Sequence, residues 1–208
     1  MALKHSQVFG DRREQIIGAS AELFEKVGYH GASMQMVADA VKLGKPTLYY
    51  YFKSKTDILY AVHESLIVGL RERHAARVAK KLPLDAQLLG ICTDIFRQID
   101  EHPGYTRAFF EHHDELNEPH KSEMRRQRRE YLDMVSGLIA AGVKSGLFAK
   151  CEPRLTALGF LGMCNFAYKW YPREKQRTVE ATAQALCKVF LEGLFQRGRS
   201  GSGSGDPK

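Results

Sequence analysis

Lys45, Pro46, Thr47, Tyr49 and Tyr50 lie close together in the chain, and a helix through them sorts them onto one side. At about 100° per residue, Pro46 and Tyr50 point outward, flanked by Lys45, Thr47 and Tyr49, while Leu48 and Phe52 point the opposite way. The outer set is small, hydroxylated, aromatic and cationic. That combination suits a groove lined with phosphates and base edges. Tyr and Thr hydroxyls reach phosphate oxygens, Lys adds charge, and a Thr methyl or Pro ring packs on a thymine methyl. Ser33, Tyr51 and Lys55 extend the set with three more donors.

Two other groups have the residue types for chemistry. His112-His113-Asp114-Glu115 holds metal-ligating side chains, but neighbours on a helix diverge by about 100° and do not converge on one ion. Only His113 stays a candidate ligand, and no metal site is expected. Lys121, Arg125, Arg128 and Arg129 form a basic stripe at helical spacing, read first as a solvated face beside Glu123 and Glu130 and second as an anion site. The sequence shows no glycine-rich phosphate loop, nucleophile elbow, or carboxylate pair with a partner base. No enzyme activity and no cofactor are expected. Cys92, Cys151, Cys164 and Cys187 are dispersed, as expected of reduced, mostly buried thiols in a cytoplasmic protein.

The DNA-facing residues need a frame, and the surrounding stretch supplies one. Ser33 is placed to cap a short helix. Val37, Ala38 and Val41 give that helix its apolar face. Lys42-Leu43-Gly44 breaks the pattern, with Gly44 expected to take the positive φ of a sharp turn. Pro46 suits the first turn of the next helix. Residues 33–52 therefore read as a helix-turn-helix with a recognition helix.

Gly44-Lys45-Pro46-Thr47-Leu48-Tyr49-Tyr50-Tyr51-Phe52-Lys53-Ser54-Lys55 resembles the signature of tetracycline-repressor-type (TetR-family) transcriptional regulators. The likeness runs upstream through Ala21, Leu23, Phe24, Gly28, Tyr29, Ser33, Met34, Val37 and Ala38, and downstream through Lys55-Thr56-Asp57-Ile58-Leu59. It covers roughly the first third of the chain. One departure is Tyr51, where many relatives carry His; both donate to a phosphate. The resemblance implies an all-α fold: an N-terminal three-helix DNA-binding domain and a C-terminal helical domain for effector binding and dimerisation. It also implies that Lys55 contacts phosphate and that the last two helices form a homodimer interface.

The remaining pattern agrees with about nine helices. Residues 1–10 read as a flexible arm and 11–60 as the DNA-binding domain. Residues 61–197 read as the effector and dimerisation domain, and 198–208, with Gly-Ser-Gly-Ser-Gly, as a flexible tail. Helix one is expected from Asp11 to Val27, with Ile16, Ile17, Leu23, Phe24 and Val27 as its core stripe and Gly28 as a left-handed stop. A long helix from Ser54 to about Lys81 leaves the DNA-binding domain and is the natural lever to the rest. Its Arg71, Arg73 and Arg77 read as a solvated face. Further helices are expected at Leu84–Glu101, from Tyr105 to about Leu116, to about Ser145, from Pro153, and from about Glu174 to Phe195. The Pro153 helix is apolar nearly all round and needs cover on both sides.

The chain has 208 residues, 44% of them hydrophobic, and a formal net charge of +7, which favours polyanionic partners. No stretch reaches the ~18 uninterrupted apolar residues of a membrane span, and no N-terminal signal-peptide core is present. The reading is a DNA-binding transcriptional regulator, a repressor released from a palindromic double-stranded operator by a small, largely apolar effector. Phe96, Tyr105, Phe109, Phe110, Arg128, Tyr131, Phe166 and Trp170 are the effector candidates; each aromatic is singly more ordinary as core. Lys169-Trp170-Tyr171-Pro172-Arg173 faintly resembles family members regulated by acyl-CoA or lipid-like molecules, which makes a fatty acid or acyl-CoA the candidate effector. The alternative is a basic helical small-molecule-binding or catalytic protein without sequence-specific DNA binding.

Overall fold

Helices carry every element of the computed structural model, which describes residues 2–171 and 177–194; no strand element occurs among those residues. In order they are α1 (Ala2–Gly31), α2 (Met34–Ala40), α3 (Lys45–Tyr51), α4 (Lys55–Ala79), α5 (Leu84–Glu101) and α6 (Pro103–Glu111). A 3-10 turn at His113–Glu115 precedes α7 (His120–Lys144). Then come α8 (Pro153–Phe166), which runs into a 3-10 turn at Ala167–Lys169, and α9 (Val179–Leu194). The expected ends of the last helix at Glu174 and Phe195, the Pro172-Arg173 pair and the tail lie outside the described residues.

α1 begins at Ala2, so the helix expected from Asp11 already runs through the stretch before Gly10. No proline interrupts it, and Ala, Leu, Lys and Gln all favour helix. The break does fall at Gly28, with φ 75° and ψ 158°. That is not the left-handed helical region but an extended mirror conformation open essentially to glycine alone. The inward stripe of α1 is Ile16, Ile17, Ser20, Ala21 and Phe24; Val27 lies on the exposed side.

At the ends of α2 and α4 positive φ falls on a lysine, and just past α7 on Gly146. At the end of α2 it is Lys42 (φ 54°), not Gly44, that turns left-handed. Leu43 N–H reaches Ala38 O (2.9 Å) and Lys42 N–H reaches Asp39 O (3.1 Å), which closes the free carbonyls of α2. Lys81 (φ 52°) does the same for α4, with Leu82 N–H on Arg77 O and Lys81 N–H on Val78 O. A Cβ costs about 1 kcal/mol in this region. Lys81→Gly is therefore expected to raise stability by about 0.5–1 kcal/mol, seen as a higher midpoint in urea unfolding; a lower midpoint would contradict it.

Packing places the two ends of the molecule in one continuous core. α1 packs on α2, α4 and α6, α2 packs on α3, and α4 packs on α5, α6 and α7. α5 is the central helix, in contact with α4, α6, α7, α8 and α9. Arg77 leaves the expected solvated face: its Nη1 donates to the buried Asp94 at 2.7 Å, and Arg73 adds a second contact at 3.3 Å. Gly90 makes room for the pair, because a Cβ there would sit 2.6 Å from Arg77 Cδ. α8 buries Ala157, Phe160, Leu161 and Cys164, yet Leu155 (67%) and Phe166 (64%) stand exposed, as does Val189 of α9 (71%).

Candidate nucleic-acid interface and effector cavity

Ser33 caps α2, its Oγ accepting from Met36 N–H at 3.2 Å. The hydroxyl proton remains available to donate. Gly44 caps α3 in extended conformation, and Pro46 lies in its first turn. Leu48 and Phe52 anchor α3 in the core, while Lys45, Pro46, Thr47, Tyr49 and Tyr50 are exposed, Tyr50 by 68%. Tyr51 is half-buried, its ring edge-on to Tyr50. The structure thus collects the predicted outer face on one helix. Two cations flank it that the sequence reading left out. Lys42 is exposed in the turn, and Lys53 donates to Tyr49 O at 3.0 Å, closing the C-terminal end of α3.

Lys55 is placed differently from a side chain held out toward a phosphate. Its Nζ donates to Tyr29 O (2.7 Å) and Ala32 O (2.8 Å) and sits 4.3 Å from the Tyr29 ring centre. Two of its three ammonium hydrogens therefore tie the start of α4 to the end of α1. Tyr29 is fixed further by Phe24 at its edge and by Thr56 at its hydroxyl.

A cavity of about 380 Å³ opens between α4, α5, α6, α7 and α8. Leu66, Ile67 and Leu70 line it from α4, Ile95, Gln98 and Ile99 from α5, and Thr106, Phe109 and Phe110 from α6. Arg128, Tyr131 and Leu132 come from α7, and Leu158, Leu161, Gly162 and Asn165 from α8. Its size falls in the range of small-molecule sites. Of the eight effector candidates it collects Phe109, Phe110, Arg128 and Tyr131.

The other four lie elsewhere. Phe96 is fully buried and packs edge-on against Trp170 and Tyr171, sealing α5 to the turn after α8. Tyr105 turns toward α1, its hydroxyl beside Gly18. Phe166 points to solvent. Reading aromatics as ligand contacts missed the aliphatic walls, because Leu and Ile at helical spacing look the same whether they face a core or a cavity.

The basic stripe on α7 divides. Arg125 pairs with Glu118 at 3.2 Å, and Lys121 approaches Asp114 at 3.9 Å. Arg129 is exposed. Arg128 turns inward, with Nη2 donating to Phe109 O at 2.7 Å and the guanidinium 4.2 Å from the Phe109 ring centre. Burial lowers its pKa. His63 of α4, buried beside it, has its pKa pushed down to about 3 by burial and by the Arg128 charge, so its ring is neutral. His112 and His113 do not converge on an ion: His112 lies against Tyr29 and His30, and His113 contacts Asp114. Among the described residues no group of three His, Cys, Asp or Glu side chains has metal-site geometry.

One polar contact joins the cavity's helix to the DNA-facing end. His120, the first residue of α7, bonds Asp57 in the first turn of α4 at 2.9 Å and stacks on Tyr60 at 4.3 Å between ring centres. Burial works against the Asp57 carboxylate, but the bonds from His120 and from the Ser54 cap outweigh it and hold its pKa below the usual range. α7 therefore touches the first turn of α4 at one end and the cavity, through Arg128 and Tyr131, farther along.

No helix among the described residues is long and apolar enough to cross a membrane. Residues 16–62 match the family described as bacterial regulatory proteins, tetR family, and residues 81–194 match the tetracyclin repressor-like C-terminal domain. The HTH-type transcriptional activator FasR of Mycolicibacterium smegmatis is 31% identical, over 84% of this chain and 80% of its own. The HTH-type transcriptional repressor KstR2 of Rhodococcus jostii is 26% identical, over 88% of this chain and 91% of its own. The crystal structure of AibR with isovaleryl coenzyme A and operator DNA shares the fold, with a TM-score of 0.77 at 22% identity, over 88% of this chain and all of that one. With a helix-turn-helix that offers one exposed face, a cavity behind it, and both halves matched, the chain belongs to the TetR family of bacterial helix-turn-helix transcriptional regulators.

Proposed function

We propose that the protein is a cytoplasmic homodimeric repressor, not an enzyme, released from a palindromic operator by a small, largely apolar effector bound in the α4–α8 cavity. The observation that carries this is the shared wall: the cavity is lined by α4, which starts at the helix-turn-helix, and by α7, which touches the first turn of α4 through His120 and Asp57. An effector that favours one α4–α7 arrangement over another shifts the spacing of two recognition helices by no more than its differential affinity for the two states. The uncovered Leu155, Phe166 and Val189 on α8 and α9 support a dimer through the last two helices. The AibR structure, with an acyl-CoA and operator DNA together, supports an acyl-type effector. FasR is named an activator and KstR2 a repressor; release by ligand is the repressor's mode.

On the DNA, Pro46, Thr47 and Tyr49 lie nearest the bases. Ser33, Tyr50 and Tyr51 serve phosphates, Lys55 adds only its third ammonium hydrogen from the α1–α4 junction, and Lys45 adds charge at the start of α3. Two-fold symmetry sets half-sites about one helical turn apart or a little more. Gel shifts against the gene's own upstream region test the reading. A sequence-specific shift is expected, and Lys45→Ala should weaken operator and random DNA alike and reduce the salt slope by about one. Binding that is salt-labile and blind to sequence would instead support a helical small-molecule-binding protein without an operator.

A further inference from the structure

We infer that the cavity takes an amphipathic anion, an apolar chain ending in a charged group that Arg128 neutralises; the inference rests on the effector reading above and specifies its ligand. Arg128 lines the cavity, and its Nε is closed off from solvent without a hydrogen-bond partner. No carboxylate pairs with it among the described residues. Three of its neighbours on α7 have acids, Arg125 with Glu118, Arg126 with Glu123 and Glu130, and Lys121 with Asp114, while Arg129 is exposed to water. The buried Arg77 has Asp94. The acid whose charge reaches Arg128 is Asp114, which is exposed and already faces Lys121 and His113.

A second unsatisfied group belongs to another residue that lines the same cavity. The Tyr131 hydroxyl, three residues on and so on the same helix face, is also buried without a partner. Both groups are donors. His63 is neutral and supplies no counter-charge. The rest of the wall is mostly apolar, Ile67, Leu70, Ile95 and Leu161 among it, with Gln98, Thr106 and Asn165 as neutral polar groups and Arg128 as its one cation. A neutral apolar ligand would close the site over a guanidinium with no acid partner and an unbonded Nε, which is costly to bury. An anion accepts from the Arg128 guanidinium, and a charge-assisted bond is among the stronger ones a protein makes. A cationic ligand would face Arg128 directly. The anion can be a free carboxylate or a phosphate of a thioester carrier; the chemistry at Arg128 is the same.

Calorimetric titration of the full-length protein with hexanoate, dodecanoate, their coenzyme A esters, hexanol and dodecanol tests this. At least one anion is expected to bind about tenfold or more tighter than the alcohol of equal chain length, and Arg128→Met should erase that preference, read as the ratio of the two affinities in the same variant. Arg128→Lys, which keeps the charge and loses the planar stack on Phe109, should retain part of the preference and serves if the methionine variant does not fold. Which anion responds identifies its source. An alcohol that binds as tightly as both anions, or an anion preference that survives Arg128→Met, overturns the inference and leaves the effector cavity standing. If no chain of either length binds, the cavity reading falls together with it.

Discussion

Lys55→Met is expected to lower the stability of the protein by about 2–4 kcal/mol and to abolish tight operator binding. Its ammonium answers two backbone carbonyls, Tyr29 O and Ala32 O, where the residues themselves are buried. A buried acceptor left without its donor costs about 1–3 kcal/mol, and the cation over the Tyr29 ring is lost as well. Methionine keeps the length and the packing of the stem, so the loss reports the charge and its hydrogen bonds. These bonds clamp the end of α1 to the start of α4, and that clamp sets where α2 and α3 sit. Thermal unfolding and operator titration of the same variant separate two roles. A fall in both is expected. Wild-type stability with weakened binding and a flatter salt slope would show a side chain that serves phosphate alone.

Gly104→Ala is the second change expected to act strongly. A Cβ on Gly104 would sit 2.4 Å from Ala21 O and 2.7 Å from the carbonyl carbon behind it. The obstacle is the backbone of α1, not the end of a flexible side chain, so α6 and α1 must move apart. Overpacking of this kind costs about 1–3 kcal/mol, and the upper end is expected because Ala21 is fully buried. The seam that opens joins α1, the strut of the DNA-facing helices, to α6, a wall of the cavity. Reduced stability should therefore come with altered operator affinity and a weakened ligand response. Gly137→Ala is the control: a Cβ there meets nothing within 4 Å, and in mid-helix it should be neutral or stabilising by up to about 1 kcal/mol. If the two variants unfold alike, close packing at Gly104 is not what holds the seam.

The DNA-facing end was legible because its signals are local. Ser33 does cap α2, the long helix does start at Ser54, which caps it, Pro46 does sit in the first turn of α3, and Leu48 with Phe52 does anchor it. Each is decided by a few neighbouring residues. The turn was read less well: Gly44 looked like the residue for positive φ, but the carbonyls of α2 needed closing two residues earlier, and Lys42 took the strain. Lys55 was found by its motif, yet its bonding was not, since its partners lie 23 and 26 residues back in the chain.

By itself the sequence determined that this chain is helical, that Ser33 to Phe52 presents a polar aromatic face, and that a long helix from Ser54 leads away from it. Periodicity, capping and turn chemistry decide those things within one or two turns of helix. Tertiary structure alone decided which side chains meet. Phe96 and Trp170 became a seal, while Leu66, Ile67 and Leu70 became cavity wall. Arg77 went inward to Asp94, and Arg128 was left without an acid. The reason is physical: burial and charge pairing depend on helices far apart in the chain, and an apolar stripe or a basic stripe reads the same whichever neighbour it meets.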